Sequence, residues 1–407
     1  MSRTSWESVS LSDIISEEGV FVDGDWVESK DQNPNGSIRL TQLADIGVGD
    51  FLDRSHRFLT KEKASELKCT YIEHGDILVA RMPDPIGRAC IFPGIEQRCV
   101  TVVDVCIIRP NNSNICNRWL MWTINSPRFK QQLEQYLTGT TRQRISRKNL
   151  QKLKIPLPPI EEQRRIAAIL DKADAVRRKR KQAIQYTEDL LRSAFLDMFG
   201  DLNKTDWPIE TVEDIAANHK GAIRTGPFGS QLLHSEFVDS GIPVLGIDNV
   251  VKNEFLWAKP RFISEEKYES LERYTVNSGD VLISIMGTCG RCAIVPEQFP
   301  IAINTKHLCC ITIDKNKCIP EFLHSYFLIH PKARNFLERN AKGAIMNGLN
   351  MGIIKQLPVV LPPIKAQKQF KSIIRSIRTS KTDIKSAEDQ DNNLFNSLLQ
   401  RAFKGEL

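Results

Sequence analysis

The sequence predicts an α+β protein with two similar mixed α/β globular domains, separated by two long helices packed as an antiparallel coiled coil. Three observations predict this fold class. The chain repeats itself with an offset of 204 residues, each copy begins with short apolar runs between turn signals, and each copy ends in a proline-rich hinge and a long amphipathic pattern. A repeat this long indicates a duplicated domain, because the repeats of a solenoid are about 20–50 residues long.

The duplication is clearest in two motifs. Gly75-Asp76-Ile77-Leu78 returns as Gly279-Asp280-Val281-Leu282, and the hinge Ile155-Pro156-Leu157-Pro158-Pro159-Ile160 returns as Val359-Val360-Leu361-Pro362-Pro363-Ile364. Both pairs are 204 residues apart. We therefore predict four segments. In chain order they are a first globular domain (1–154), a first long helix (155–200), a second globular domain (201–358) and a second long helix (359–407).

Each globular copy is predicted to contain short strands and a broken helix. Gly-Asp is a turn signal, and the apolar runs that follow it, Ile77 to Ala80 and Val281 to Ser284, read as strands. A helical stretch comes later in each copy, and a proline interrupts it at Pro127 and again at Pro331. Since proline lacks the N–H of a helix interior, each stretch should be two short helices or one kinked helix.

The hinge of each copy leads into a pattern typical of a long helix. Apolar residues alternate at spacings near three and four, as in the contact stripe of a coiled coil. The predicted stripe residues are Ile166, Ile169, Ala173, Val176, Ala183, Leu190 and Ala194 in the first helix, and Phe370, Ile373, Ile377, Ile384, Ala387, Leu394 and Leu398 in the second. Some 40 residues would form a helix about 60 Å long. Gly200 should end the first helix.

The two helices should pair, because an isolated amphipathic helix leaves its apolar stripe exposed. Their closing signatures, Leu190 to Phe195 and Leu398 to Phe403, stand 208 residues apart, so the second helix is predicted to hold four extra residues.

Composition limits the class of protein. The chain has 407 residues, 41% of them hydrophobic and 26% charged, which is ordinary for a globular protein. The net charge of +7 permits a polyanionic partner without requiring one. No apolar run approaches the ~20 residues needed to cross a bilayer, and the N-terminus lacks the apolar core of a signal peptide. The sequence thus predicts a cytoplasmic protein with no membrane partner.

The usual catalytic motifs are missing from the sequence. No Gly-Lys dipeptide occurs, so the phosphate loop of an ATPase is absent. The seven histidines are scattered without a metal-binding pair. Cys289 and Cys292 form a C-x-x-C, but the first copy has no such pair, so free thiols are favoured over a metal site. We predict no catalytic residue and no metal ligand; the role of the two cysteines stays open.

Recognition is the remaining chemistry. Residues 140–149 are rich in cations, hydroxyls and amides, which bind phosphates and base edges. A solvated linker is the equal alternative, and the matching residues 344–350 contain no arginine. Residues 177–181 form a basic run, read either as a solvated helix face or as a contact for a polyanion or acidic protein. The glycine-rich residues 225–230 are better read as a tight turn with close backbone approach than as a phosphate contact.

Taken in order, these motifs resemble the DNA-specificity subunit of type I restriction–modification enzymes over essentially the whole chain. The residues that carry the resemblance are the hinge through Glu161-Glu162-Gln163 with its echo through Gln367, the Gly75 to Arg81 motif with its copy, and Gly226-Pro227-Phe228-Gly229-Ser230 leading to Gly241-Ile242-Pro243-Val244. Lys365-Ala366-Gln367 departs from Glu161-Glu162-Gln163, which puts identical hinge contacts in doubt.

The resemblance implies a non-catalytic subunit. Two target-recognition domains would each read one half of a bipartite, asymmetric site in double-stranded DNA, and the helices would act as a ruler. Two methyltransferase subunits would dock on the helices, and restriction/translocase subunits would join them. No cofactor would bind this chain, since AdoMet, ATP and Mg are expected on the partner subunits.

Candidate residues follow from this interpretation. The predicted DNA-binding residues are Arg81, Arg142, Gln143, Arg144, Arg147, Lys148, Lys220, Arg224 and Ser230. The predicted methyltransferase-docking residues are Gln163, Arg177, Arg178, Arg180 and Gln367. Two alternatives stay open: a coiled-coil adaptor that does not read DNA, and an enzyme that acts alone. The target sequence and its spacer length do not follow from the residues.

Overall fold

The computed structural model describes residues 6–201, 206–341 and 348–407. Contacts divide the chain into two compact units: a first unit of Met1–Lys181 with Ser386–Leu407, and a second unit of Gln182–Lys385. Each unit therefore combines one globular region with part of each long helix. The four segment boundaries predicted from sequence describe a different division and stay a prediction.

The first globular region contains nine short strands and four short helices among the described residues. The strands are β1 (Glu7–Ser10), β2 (Val20–Asp23), β3 (Ile38–Thr41), β4 (Phe58–Leu59), β5 (Ile77–Ala80), β6 (Ala89–Ile91), β7 (Cys99–Thr101), β8 (Val105–Arg109) and β9 (Lys154–Leu157). The helices are α1 (Lys61–Glu66), α2 (Asn117–Asn125), α3 (Pro127–Glu134) and α4 (Arg147–Lys152). The long helix α5 (Ile160–Phe199) follows.

The second globular region repeats this plan in the part of it that the structure describes. Its strands are β10 (Ile209–Thr211), β11 (Ile223–Thr225), β12 (Ile242–Leu245), β13 (Phe262–Ile263), β14 (Thr275–Val276), β15 (Val281–Ser284), β16 (Cys292–Ile294), β17 (Ala302–Asn304), β18 (Leu308–Ile311) and β19 (Pro358–Val360). Its helices are α6 (Glu265–Leu271), α7 (Pro320–Ile329), α8 (Pro331–Ala341) and α9 (Met351–Lys355). The long helix α10 (Ile364–Ala402) closes the chain.

The large sheets of the two units share one topology, and the small sheets differ by one strand. A four-stranded antiparallel sheet has the order β2-β8-β5-β6 in the first unit and β11-β18-β15-β16 in the second. A smaller sheet joins one parallel pair, β3 with β7 or β12 with β17, to an antiparallel partner, β4 or β13. In the second unit β14 adds a fourth strand by pairing antiparallel with β17. A two-stranded ribbon, β1 with β9 or β10 with β19, leads into the hinge.

The predicted turns and helix breaks are confirmed. The Asp76 carboxylate accepts a hydrogen bond from the Glu73 N–H at 2.8 Å, and the Asp280 carboxylate accepts one from Asn277 at 2.9 Å, so the same turn precedes β5 and β15. The predicted helical stretches are two helices each, since α3 begins at Pro127 and α8 begins at Pro331. Proline is tolerated there because the first helical residues lack an N–H acceptor in any case.

The long helices are confirmed, and they pack antiparallel within each unit. In the first unit Arg165 donates to the Leu407 carbonyl and Arg180 pairs with Asp391. Later residues of α5 thus contact earlier residues of the C-terminal segment, as expected for antiparallel helices. In the second unit Phe195 packs on Phe370, with ring centroids 5.3 Å apart, while Glu188 pairs with Lys381. Burying one such aromatic ring contributes roughly 1.5–3 kcal/mol.

One detail of the helix prediction was wrong. Val176, Leu190 and Leu394, predicted in the contact stripe, are exposed, whereas the next residue Phe395 is buried with Leu399. The four extra residues are confirmed, since the helical span from Ile364 to Ala402 is four residues longer than the matching span from Ile160 to Ala194. The whole helices nevertheless have similar lengths. α10 has 39 residues against 40 in α5, because α10 ends at Ala402 whereas α5 continues past the matching Ala194 to Phe199.

Candidate nucleic-acid interface

The basic residues 142–148 of the first unit form an exposed, locally ordered surface. Backbone hydrogen bonds in both directions between Thr138 and Arg144 close a tight loop. The Ser146 side chain then caps α4 by accepting a bond from the Asn149 N–H at 3.2 Å. The side chains of Arg142, Gln143, Arg144, Arg147 and Lys148 are all exposed. Residues 142–148 are the basic segment.

An open cleft of about 640 Å³ lies beside the basic segment in the first unit. Its walls come from the turn after β2, the residues around Gln42, the turn before β8 and the loop that ends at Arg144. Trp26 stands at this cleft and is 70% exposed. Asp25 and Asp104 also line it, so the cleft mixes hydrogen-bond donors and acceptors. Burial raises the pKa of Asp25 above its usual range.

Arg81 lines this cleft but is largely buried, and its role as a DNA-binding residue stays a prediction. The side chain is 8% exposed and donates to the carbonyls of Ile145 and Val103. Its Nε lies 3.1 Å from the Asp23 carboxylate. Burial raises the pKa of Asp23, and the Arg81 charge opposes that rise. Because its donors face inward, Arg81 holds the loop of the basic segment against the sheet.

Arg224 is a second predicted DNA-binding residue that the structure places inside. It donates to the Asp280 carboxylate at 2.6 Å and to the Thr275 carbonyl at 2.9 Å, and both charged side chains are buried. Lys220 and Ser230 of the same unit are exposed, so they stay candidates. The structure thus exposes five of the predicted DNA-binding residues on one segment of the first unit and two in the second unit.

The predicted docking glutamines lie in the hinges and are buried, which does not fit a docking role. Gln163 accepts from the Cys116 N–H at 2.9 Å and donates to the carbonyls of Asn114 and Pro158. Gln367 accepts from the Ile319 N–H at 3.0 Å and donates to the carbonyls of Lys317 and Pro362. The two hinges make the same contacts, and the sequence difference falls on neighbouring residues.

The predicted docking arginines are engaged within the first unit. Arg177 donates to Asn392 at 2.8 Å and lies over the Phe395 ring at 4.3 Å. Arg178 pairs with Asp174 and Asp50, and Arg180 pairs with Asp391. These arginines hold the helix pair and the globular region together, and their role in docking stays a prediction.

Sequence reasoning missed the exposed aromatic residues. Trp26 and Phe228 follow the first strand of the large sheet in their units, and Trp257 stacks on Phe299 with ring centroids 5.2 Å apart. The available signal was an aromatic residue outside any amphipathic pattern, next to a glycine, as in Gly24-Asp25-Trp26 and Gly226-Pro227-Phe228.

The described residues contain no group of three or more His, Cys, Asp or Glu side chains arranged to hold a metal ion. Cys292 is buried in β16, and burial raises the pKa of its thiol. No described helix is both long and apolar enough to span a membrane.

The family model of the type I restriction modification DNA specificity domain matches residues 4–186 and again residues 206–391. These two matches cover most of the chain, which therefore belongs to this family. The resemblance read from the hinge and Gly-Asp motifs is confirmed.

Characterised relatives have the same description. The chain is 24% identical over 303 residues to the EcoBI specificity subunit of Escherichia coli, covering 66% of this chain and 62% of that protein. It is 24% identical over 352 residues to the putative MjaX specificity subunit of Methanocaldococcus jannaschii, covering 79% of this chain and 77% of that protein. The alignment with the Escherichia coli relative thus leaves more than a third of that protein unmatched.

Solved structures share the fold. A chain from a structure that concerns complex assembly and conformational transition of the type I R-M system has a TM-score of 0.61 at 18% identity, covering 99% of both chains. The S subunit of a type I restriction–modification system from M. genitalium has a TM-score of 0.54 at 14% identity, covering 98% of this chain and 96% of that chain. The predicted fold class is confirmed.

Proposed function

We propose that this member of the type I restriction–modification DNA specificity family is the subunit that reads DNA for a methyltransferase and restriction complex. Each unit would read one half of a bipartite, asymmetric site in double-stranded DNA. The chain itself would carry no catalytic group. AdoMet, ATP and Mg would bind the partner subunits, and the complex would work in the cytoplasm.

The observation that carries this proposal is the double match to the specificity domain in one chain, with the same four-stranded antiparallel sheet in both units. Two readers on one polypeptide suit a site with two parts. Their surfaces differ, because the first unit has the basic segment and residues 344–350 lack arginine; of these, residues 344–347 lie outside the described residues. Different surfaces favour two different half-site sequences, hence an asymmetric target.

The first unit offers the groups that such reading needs. Arg142, Arg147 and Lys148 can neutralise phosphates, while Gln143 and Arg144 can bond base edges in the major groove. Their exposure supports this assignment. Lys220 and Ser230 are the corresponding exposed polar candidates of the second unit.

Docking of two methyltransferase subunits is proposed for the long helices. With the predicted glutamines and arginines engaged internally, the exposed apolar side chains Val176, Tyr186 and Leu190 of α5 and Leu394 of α10 are better candidates. Apolar and aromatic side chains contribute most of the binding energy in protein interfaces. Restriction/translocase subunits would join the assembled core.

The proposal is tested by expressing the chain with its methyltransferase partner and mapping methylated adenines across a genome. The expected result is one bipartite motif with a fixed spacer. Methylation without sequence preference would favour the adaptor instead, and methylation or cleavage by the isolated chain would favour an enzyme that acts alone. A matched culture that expresses the methyltransferase without this chain gives the background.

The ruler role has its own test. Deleting one helical turn from each long helix removes about 5.4 Å of helix, which corresponds to about one or two base pairs of ~3.4 Å each. The tolerated spacer should change while both half-site sequences persist. Altered half-site bases with an unchanged spacer would contradict the ruler.

A further inference from the structure

We propose that Trp26 and Phe228 are equivalent DNA-contacting residues, each placing an aromatic ring against the bases of one half-site. This inference rests on the proposed function and adds a residue pair that the sequence motifs did not reveal. Trp26 is 70% exposed and Phe228 is 49% exposed. A single exposed aromatic residue needs no explanation, but two at one place in a duplicated fold do.

The equivalence follows from sheet register. Thr41 pairs with Thr101 in the first unit, and Leu245 pairs with Asn304 in the second. Thr41 and Leu245 are 204 residues apart, the offset of the duplication. Thr101 and Asn304 therefore hold the same position at the end of the parallel strand in their units.

A glycine passes against that position in each unit. A Cβ on Gly24 would collide with the carbonyls of Thr101 and Val102, and a Cβ on Gly226 would collide with the backbone of Asn304 and Thr305. Only glycine permits so close an approach of two backbones. The glycine thus fixes the path of the chain, and the aromatic residue stands two positions later in both units.

This match is hidden in the sequence because Trp26 and Phe228 are 202 residues apart, whereas the hinge motifs are 204 apart. At the offset of 204, Trp26 aligns with Ser230. The structure replaces that alignment, since the crowded glycine and the paired strands bring Trp26 into register with Phe228.

The surroundings of the two rings favour nucleic acid as the ligand. Trp26 shares its cleft with Arg144, Gln42 and Asp104, a set that includes cationic, amide and carboxylate groups. Phosphate oxygens only accept hydrogen bonds, whereas base edges present both donors and acceptors, so a carboxylate in the cleft suits base edges. The carboxylate can accept from a cytosine amino group, and the arginine can donate to guanine.

Phe228 is supported by polar groups in the same way. Its N–H donates to Gln231 Oε1 at 3.0 Å, which also accepts from the Tyr274 hydroxyl at 2.9 Å. The Arg273 guanidinium lies 4.8 Å from the centre of the Tyr274 ring. The turn that carries Phe228 is thus ordered while its phenyl ring is half-exposed, so the ring can contact a thymine methyl group or the face of a base.

The test uses the full complex of this chain with its methyltransferase, and duplexes in which one half-site at a time is randomised. Losing the recognition of one base pair in a duplex site typically costs about 1–3 kcal/mol, or roughly 5- to 150-fold in affinity. Trp26→Ala should weaken binding by about that factor and relax the base preference of one half-site only. Phe228→Ala should do the same for the other half-site.

Matched variants separate contact from folding. Trp26→Phe and Phe228→Trp keep a ring and should retain most of the affinity. Trp257→Ala removes an exposed tryptophan whose counterpart at the 204-residue offset is Asp53, and it should leave affinity and preference unchanged. Unchanged melting temperatures for all variants would show that the fold is intact, as expected for exposed side chains.

Three results would overturn the inference. The first is wild-type preference in both half-sites after either alanine substitution. The second is intact DNA preference combined with loss of the methyltransferase from the purified complex, which would assign the rings to a protein partner. The third is a wild-type complex with no sequence preference, because the proposed function would then fail and the inference would fail with it.

Discussion

The two units present the same buried carboxylate to arginines from different strands. Asp76 precedes β5 and pairs with Arg109 at the end of β8, whereas Asp280 precedes β15 and pairs with Arg224 in β11. Thr312 and Cys310 also donate to Asp280, while Arg109 reaches Glu73 as well. Both copies therefore share the turn geometry, but the arginine that donates to the carboxylate comes from a different strand in each. A charged residue in a duplicated fold should be assigned from its contacts rather than from its place in the repeat.

The largest expected effect separates these two ion pairs. Arg224→Met leaves Asp280 as an unpaired charge in the core of the second unit, which should cost about 3–5 kcal/mol. Arg109→Met should cost less, roughly 2 kcal/mol, because the Arg109 side chain is 22% exposed and water can approach its partner. Hydrogen exchange read by mass spectrometry reports each unit separately in the intact chain.

The double variant Arg224→Met with Asp280→Asn is the control for this prediction. It removes the stranded charge while keeping an acceptor for the Asn277 N–H, so it should recover part of the lost protection. Equal loss from Arg224→Met and Arg109→Met would show that the strand of origin makes no difference.

Acid should destabilise the second unit through one buried histidine that the first unit lacks. His330 donates from Nε2 to the Phe199 carbonyl and accepts from the Lys332 N–H at Nδ1, so its neutral form is fully used. Burial lowers the pKa of His330 to about 4. In the unfolded chain this histidine has an ordinary pKa of about 6.5. Between pH 4 and 6.5 its imidazole is therefore protonated in the unfolded chain and neutral in the folded chain. Stability is therefore complete above about pH 6.5 and falls by roughly 3 kcal/mol as the pH drops towards 4.

The first unit supplies the control, because Ser126 stands at the position of His330. His330→Ser should lower stability at neutral pH through lost packing, yet it should flatten the dependence between pH 6.5 and 4. Urea unfolding of the full chain at several pH values measures the slope. His324, whose pKa burial also lowers, is present in both proteins and cancels in the comparison. An unchanged slope in the variant would refute the assignment.

The hinges are where the two units should behave alike. Gln163→Leu and Gln367→Leu each leave two carbonyls and one N–H without their partner, at a cost of about 1–3 kcal/mol. The losses should agree between the units, because the contacts do. Glu161→Gln, at an exposed neighbouring position, should change stability by less than about 0.5 kcal/mol. A twofold difference between the two glutamine variants in chemical denaturation would show that the hinges are not equivalent.

Much of the architecture was predictable from sequence. The hinge prolines, the Gly-Asp turns and the repeat offset predicted the broken helices and the long helices, because these signals are local and occur twice. The apolar residues of the long helices that are buried were harder to predict. At Leu394-Phe395 two apolar residues compete for one buried position, and the spacing rule does not distinguish them; the packing of Phe395 on Trp122, with ring centroids 5.3 Å apart, decides it.

The candidate site was predictable only in part. The exposed arginines of the basic segment stand in a polar stretch, and composition identified them. Arg81 and Arg224 follow or lie in strands, where a long side chain can turn inward to a carboxylate or a carbonyl far away in sequence. Trp26 was missed because the equivalence with Phe228 exists in strand register and not in the alignment of the two copies.

The smallest expected effect is a change in the salt dependence of DNA binding, which should distinguish exposed from buried arginines within the first unit. If Arg142 and Lys148 contact phosphates, each substitution by alanine should reduce the slope of log affinity against log salt by about 0.9 and weaken all duplexes alike. Arg81→Met should leave that slope unchanged and lower the stability of the first unit, since its donors serve Ile145 and Val103. DNA titrations at four salt concentrations, with protein shown to be folded, would measure this. If Arg81→Met changes the slope as much as Arg142→Ala does, Arg81 contacts a phosphate. The proposed difference between a residue that contacts DNA and one that only positions the loop would then be wrong.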